Sequence, residues 1–290
     1  MQEVDLLVIG SGPAGQRAAI QGVKLGKRVV LVEKRQVVGG VCTNTGTIPS
    51  KTLREAVLYF SGFRQRHLYG RSYMVKRDVT FSELRHRTQH VIKHEVEVAR
   101  DRLMRTGVEI VYGTGSFESP HEVVVNGESQ PRRYRASKII IATGTRPYRA
   151  ERVPFNGHTI IDTDTIFQPS FTMEQLPKSI LIIGAGVIGT EYACMFSAIG
   201  VDTRLLDRRL ELFRFVDREI NEALTYLMRS ERTTIYLGKD FREVREADGK
   251  VVTTLENGRE IKTEVLMFAS GRPGATDELN LPAAGVELEG

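Results

Sequence analysis

The residues of this chain best suited to chemistry fall into two sets with the same internal spacing. The first is Gly10-Ser11-Gly12-Pro13-Ala14-Gly15, followed 23 positions after Gly10 by Glu33. The second is Gly184-Ala185-Gly186-Val187-Ile188-Gly189, followed 23 positions after Gly184 by Asp207. In such a pattern the first glycine permits a tight turn from strand into helix. The second lets backbone approach a pyrophosphate, and the third lets the helix pack closely on the strand. The helix start offers unpaired N–H groups and a partial positive charge to phosphate, while the acid accepts hydrogen bonds from an adenosine ribose. One such glycine pattern is weak evidence, but two complete copies make dinucleotide binding, twice over, the expected chemistry.

The elements that must position these residues are legible on both sides of each turn. DLLVIG leads into the first turn, AAIQGVKLG reads as a helix, and RVVLVE reads as a second strand ending at Glu33. SILIIG leads into the second turn, followed by a helix through Glu191 to Ala198 and a strand VDTRLLD ending at Asp207. Between the copies lie a helix-favouring stretch from Phe81 to Arg105, β-rich sequence around Val108 to Val125, and a strand KIIIATG from Lys138 to Gly144. Pro147 and Pro154 punctuate a crossover, which places a boundary near residue 152. The expected fold class is α/β, with two Rossmann-like dinucleotide-binding domains. The first covers residues 1–152 with a return segment 272–290, and the second covers 153–271.

At 290 residues the chain is long enough for two domains with separate cores. With 41% hydrophobic and 27% charged residues it reads as globular rather than disordered. Its longest apolar runs are far short of the ~20 residues of a bilayer crossing, so no membrane partner is expected. The net charge of +5 comes from scattered Lys and Arg without a dense basic tract, which argues against a nucleic-acid partner. Two cysteines, Cys42 and Cys194, make no disulfide framework and agree with a cytoplasmic protein, as does an N-terminus carrying Glu3 and Asp5 instead of the basic start of an export signal. Cys194 lies in an apolar helix stretch and is expected in the core. His86, His90 and His94 are spaced i, i+4, i+8, but a polar helix face explains them and no metal is assigned.

The segment GGVCTNTGTIPSKTLRE, Gly39 to Glu55, taken with both glycine turns and KIIIATGTRP, resembles the flavoproteins with two dinucleotide sites. These include glutathione reductase, lipoamide dehydrogenase and mercuric reductase, and the resemblance covers practically the whole chain. Members with a redox-active dithiol carry C-x4-C here. In this chain the first position is Cys42 and the second is Thr47, so no disulfide can close at that place. The pattern Cys42, Thr43, Gly46, Thr47, Ile48, Pro49, Ser50, Lys51 is similar to the soluble pyridine nucleotide transhydrogenase branch. That resemblance implies hydride exchange between NADPH and NAD+ through FAD, with no sulfur pair in between.

The resemblance also implies roles for single residues. Gly10, Gly12, Pro13, Ala14, Gly15, Glu33, Lys34, Gly40, Cys42, Ala142, Thr143 and Gly144 are expected at FAD. Gly184, Gly186, Val187, Ile188, Gly189, Asp207, Arg208, Arg209 and Gly271 are expected at the nicotinamide dinucleotide, NAD(H) or NADP(H). Lys51 is expected beside the flavin and Glu191 on the nicotinamide side, paired with Lys51. Cys42 and Thr47 occupy the place of the dithiol, and Cys42 is either a reactive thiolate or an inert small residue, the second being favoured. Asp207 suits a free ribose 2′-hydroxyl, whereas Arg208 and Arg209 suit a 2′-phosphate, so one site for both nucleotides is expected. Two other readings stay open: a disulfide- or metal-reductase relative using Cys42 with an external thiol, and a non-catalytic flavin- or nucleotide-binding module. Family members continue well beyond the length seen here, with a second flavin-contacting segment and a C-terminal dimerisation domain that this sequence lacks. A homodimer or larger assembly is expected of the full-length form.

Overall fold

The computed structural model describes residues 1–70, 72–128 and 130–288, so the last two residues of the expected return segment lie outside the described residues. Grouped by their contacts, the residues form two units. One comprises Met1–Ile48, His90–Arg146 and Pro273–Gly290, and the other Pro49–Gln89 and Pro147–Arg272.

The first unit is built on a six-stranded sheet of order β3-β2-β1-β6-β5-β4, from β1 (Gln2–Ile9), β2 (Val29–Glu33), β3 (Glu109–Tyr112), β4 (Thr114–Ser119), β5 (Glu122–Asn126) and β6 (Arg132–Ile141). β3, β2, β1 and β6 run parallel, and β5 and β4 continue the sheet antiparallel. Side chains alternate across the strands with the two-residue period of a pleated sheet. Val8, Val29 and Leu31 join Ala19 of α1 (Pro13–Lys24) and Leu103 in one core, while Leu7, Ile9, Val30 and Val32 join Phe117, Val123 and Tyr134 in another. β5 pairs with β6 only as far as Arg135, and Ile140 and Ile141 at the far end of β6 are exposed. Two short helices or helix starts follow β2: α2 (Gly40–Asn44) and the first residues of α3 (Thr47–Phe60).

The second unit contains most of α3, α4 (Arg66–Tyr69) and the start of α5 (Phe81–Thr106). Residues 49–89, expected with the first fingerprint, group here because Arg66 binds Glu231 and the Ala198 carbonyl. Arg85 likewise binds the carbonyls of Gln168, Pro169 and Phe171. Its main sheet is parallel, of order β10-β9-β8-β14-β7, from β7 (Ile160–Asp162), β8 (Ser179–Ile183), β9 (Asp202–Asp207), β10 (Thr234–Leu237) and β14 (Val265–Phe268). An antiparallel sheet of β11 (Phe241–Ala247), β12 (Lys250–Leu255) and β13 (Glu260–Thr263) covers it. Phe241, Val251 and Ile261 pack with Leu181, Leu206, Leu266 and Phe268. α6 (Val187–Ala198) packs on β8 and β9, and α7 (Arg218–Ser230) precedes β10. Strands buried on both faces are apolar throughout, as in the run SILII, which is why they read as unbroken hydrophobic segments. Among the described residues no helix is long and apolar enough to cross a membrane.

Candidate functional site

The two fingerprints adopt the same geometry in their separate units. Gly10 has φ +106° and Gly184 φ +109°, a backbone region that side chains other than hydrogen rarely permit. The amide of Gly10 donates to the Val32 carbonyl and that of Gly184 to the Leu206 carbonyl, both at 2.8 Å, which locks each turn to the neighbouring strand. A Cβ on Gly15 would stand 1.8 Å from the Gly10 carbonyl oxygen, and one on Gly189 the same distance from that of Gly184. Only glycine at these positions lets each helix begin so close to its strand.

Both helices begin directly after the turn, α1 at Pro13 and α6 at Val187, earlier than the apolar pattern alone indicates. Neither has a side-chain cap. The first helical hydrogen bonds are Gln16 N–H to the Gly12 carbonyl and Thr190 N–H to the Gly186 carbonyl, each 2.9 Å. The amides before them, of Ala14 and Gly15 and of Ile188 and Gly189, have no acceptor within their helices, which is the donor set a pyrophosphate needs.

In the first unit a cavity of about 840 Å³ opens at this turn. Of the residues expected at FAD, Gly10, Gly12, Pro13, Ala14, Glu33, Lys34, Gly40, Cys42, Ala142, Thr143 and Gly144 line this one cavity, and Gly15 lies behind it in the turn. Nothing stands within 4 Å of where a Cβ on Gly12 would be, so a ligand can reach the backbone there. The buried Glu33 carboxylate accepts from the Ser11 amide at 3.0 Å, from the Ser11 hydroxyl, and from the Arg35 amide at 2.8 Å. Sequence reading missed Arg35, Arg146, Asp277 and Glu278, which also line the cavity; Lys34 pairs with Glu278, and Arg146 with Asp277 at 2.8 Å. These contacts join residues more than a hundred positions apart, so no local pattern announces them. Cys42 sits half-buried in α2 as a free thiol, and Thr47 is exposed at the start of α3 and is not on the cavity wall.

In the second unit a cavity of about 750 Å³ is lined by Gly184, Gly186, Asp207, Arg208, Arg209 and Gly271 from the expected set. Val187, Ile188, Gly189 and Glu191 are not on its wall. Arg214 and Lys239 join the lining without any sequence signal, as do Arg152 and Asp240, which pair at 3.1 Å. Buried Asp207 accepts from the Ala185 amide at 2.6 Å and the Arg209 amide at 2.8 Å. It also receives the Arg209 guanidinium through Nε at 2.9 Å and Nη2 at 2.7 Å. Burial pushes the Asp207 carboxyl up, and the Arg209 side chain with these amides outweighs it and holds the group below its ordinary value.

Lys51 Nζ and Glu191 Oε1 are 2.6 Å apart, an ion pair between α3 and α6 in the second unit, with both side chains partly exposed. Behind the lining, buried Asp164 holds Arg272 in a two-pronged contact at 2.7 and 3.2 Å, next to Gly271. Buried Asp162 binds Arg149 at 2.6 Å and the Thr165 hydroxyl and amide at 2.9 Å. Cys194, expected in the core, is exposed. α6 is apolar nearly all round, so its composition did not reveal which face turns outward. His86, His90 and His94 are exposed on α5.

Comparison with known proteins agrees with this architecture. Residues 4–290 match the family model described as pyridine nucleotide-disulphide oxidoreductase. The chain is 47% identical over its whole length to soluble pyridine nucleotide transhydrogenases of Mycobacterium bovis and Mycobacterium tuberculosis, spanning 62% of each. It is 38% identical over 98% of its length to the soluble pyridine nucleotide transhydrogenase of Pseudomonas putida, spanning 60% of it. The chain thus covers about three fifths of the curated relatives it matches. Among solved structures, the Cu(II) complex of the HOCl-induced flavoprotein disulfide reductase RclA from Escherichia coli superposes with a TM-score of 0.86. That match has 24% identity and covers all of this chain and 61% of the other, a likeness of fold. Two matched glycine turns, each with its acid, and a family match running from residue 4 to the end establish that the chain belongs to the pyridine nucleotide-disulphide oxidoreductase family.

Proposed function

We propose that this chain is the dinucleotide-binding part of a soluble pyridine nucleotide transhydrogenase, an FAD-dependent enzyme that moves a hydride between NADPH and NAD+. The observation that carries the reading is a pair of equivalent dinucleotide cradles in a chain whose C-x4-C position holds Cys42 and Thr47. A dithiol relay needs two sulfurs; two nucleotides exchanging a hydride need none. The transhydrogenase relatives support the same reading.

The first cavity fits FAD. Its helix N-terminus offers amides to the pyrophosphate, and Glu33 faces the place of the adenosine ribose. Bound there, FAD supplies the two-electron chemistry that accepts a hydride from one nicotinamide and returns it to another. Arg208, Arg209, Arg214 and Lys239 favour the phosphates of the nicotinamide dinucleotide in the second cavity. Lys51 is assigned to stabilising negative charge on the reduced flavin, and Glu191 to fixing the ammonium by the 2.6 Å contact. Cys42 is assigned a packing role. We place the protein in the cytoplasm as a homodimer or larger assembly of the full-length form, acting on nicotinamide dinucleotides without nucleic-acid or membrane partners.

The test is an anaerobic NADPH titration of the full-length flavoprotein, followed by initial rates with NADPH and thio-NAD+. Uptake of two electrons per flavin with parallel double-reciprocal lines is expected. Uptake of four, or no transfer to thio-NAD+, overturns the proposal.

A further inference from the structure

The two ribose acids stand in matched places but differ in how many acceptor positions they leave open. A carboxylate offers about four lone-pair sites. Glu33 receives three donors: the Ser11 amide and hydroxyl on Oε2 and the Arg35 amide on Oε1. One position remains for a ribose hydroxyl. Asp207 receives four: the Ala185 amide and Arg209 Nη2 on Oδ2, and the Arg209 amide and Nε on Oδ1. Its acceptor capacity is full, and two of the four donors belong to one movable side chain.

We infer that Arg209 is a specificity-determining counterion whose two positions let one site accept nicotinamide dinucleotides with and without a 2′-phosphate. This rests on the reading of the second cavity as the nicotinamide dinucleotide site. With Arg209 on Asp207, the acid's negative charge is neutralised where a 2′-phosphate must sit. The guanidinium has five N–H donors and spends two on Asp207, so three remain for the phosphate. With Arg209 withdrawn, Asp207 regains two acceptor positions, and a free 2′-hydroxyl can donate to it as in NAD-type sites. The guanidinium is placed for either role. It is about one-third exposed, and Nη2 lies 3.9 Å from where a Cβ on Gly186 would be, against the phosphate-binding turn itself. Arg208, on the same wall, makes no hydrogen bond or ion pair with Asp207 among the described residues and is a fixed contributor of positive charge rather than a switch.

The test uses calorimetric titration of this chain with ADP-ribose and 2′-phospho-ADP-ribose, ligands that need neither flavin nor turnover. Arg209→Ala is expected to weaken 2′-phospho-ADP-ribose at least about tenfold, because the phosphate then meets an unmasked carboxylate, while ADP-ribose binds as well or more tightly. In an Asp207→Asn background the same Arg209→Ala change is expected to cost less than about threefold, since there is no longer a charge to mask, whereas Arg208→Ala costs the same in both backgrounds. The wild-type chain gives a readout independent of variants: the Arg209 Nε–H resonance is expected to shift and exchange faster with ADP-ribose and to stay protected with the phosphorylated ligand. An Arg209→Ala penalty equal in both backgrounds makes Arg209 a plain phosphate contact and overturns the counterion role. So does a resonance that responds identically to both ligands. Failure of wild type to bind either ligand at millimolar concentration overturns the nucleotide reading of the cavity itself.

Discussion

Replacing Gly189 by alanine puts the proposed geometry under direct load. The added methyl would stand 1.8 Å from the Gly184 carbonyl oxygen, whereas ordinary contact begins at 3.4 Å, so α6 must retreat from β8 by about 1.6 Å or the turn must open. The obstacle is backbone, which cannot rotate aside as a long side chain would. Overpacking of this kind costs about 1–3 kcal/mol, which lowers the melting temperature by roughly 2–12 °C at about 2–4 °C per kcal/mol for a domain of this size. The effect on binding is larger, because the amides of Ile188 and Gly189 move with the helix and a displacement above 1 Å removes most of a pre-aligned set of contacts. Titration of the chain with ADP-ribose is expected to show a loss of at least about a hundredfold. Gly15→Ala imposes the same 1.8 Å clash on the first unit, so in the full-length protein it is expected to abolish flavin retention and leave ADP-ribose binding intact. Unchanged ADP-ribose affinity in Gly189→Ala would refute the premise that the close helix start holds the pyrophosphate.

Other expectations follow from single contacts. Lys51→Ala breaks a partly exposed ion pair and is expected to cost no more than about 1 kcal/mol of stability by thermal melting, while lowering kcat of the full-length enzyme at least about tenfold; an unchanged kcat removes Lys51 from the machinery. Asp162 is pushed up by burial but held below its ordinary value by Arg149 and Thr165, so its contribution is complete above about pH 4 and disappears as pH falls through the lowered folded value. Asp162→Ala is therefore expected to cost about 2–4 kcal/mol in urea unfolding at pH 7, with the gap closing towards pH 2; a gap independent of pH contradicts the assignment. Arg208→Ala in the full-length enzyme is expected to raise the KM for NADPH well above its effect on NADH, and equal effects in steady-state kinetics count against a 2′-phosphate contact.

The parts of the fold that depend on neighbours in sequence were legible. Each glycine turn carries its strand, helix and acid within 23 positions of the first glycine, and the structure gives both turns nearly the same φ, the same amide contact and the same close helix approach. What depends on distant partners was not. The helix starts at Pro13 and Val187 follow from the turn rather than from apolar periodicity. The antiparallel sheet of β11, β12 and β13 is recognised by what it covers, since its inward residues Phe241, Val251 and Ile261 acquire meaning only against β8, β9 and β14. Arg214 and Lys239 reach the second cavity from segments with no motif of their own. The sequence placed Arg208 and Arg209 side by side as equals; only the fold shows that one is laid onto Asp207 and the other is not.

The open side of β6 has a practical consequence for work with this chain. Beyond Ala136, whose amide donates to the His121 carbonyl, that strand has no ladder partner on its β5 side among the described strands, and its tip displays Ile140 and Ile141. A strand edge without a ladder partner, beside exposed isoleucines, forms an adhesive margin, ready to zip onto any other extended polypeptide. Preparations are expected to self-associate as they are concentrated, with light scattering rising before any loss of helical circular dichroism, and a charged residue at position 140 is the change that blunts it.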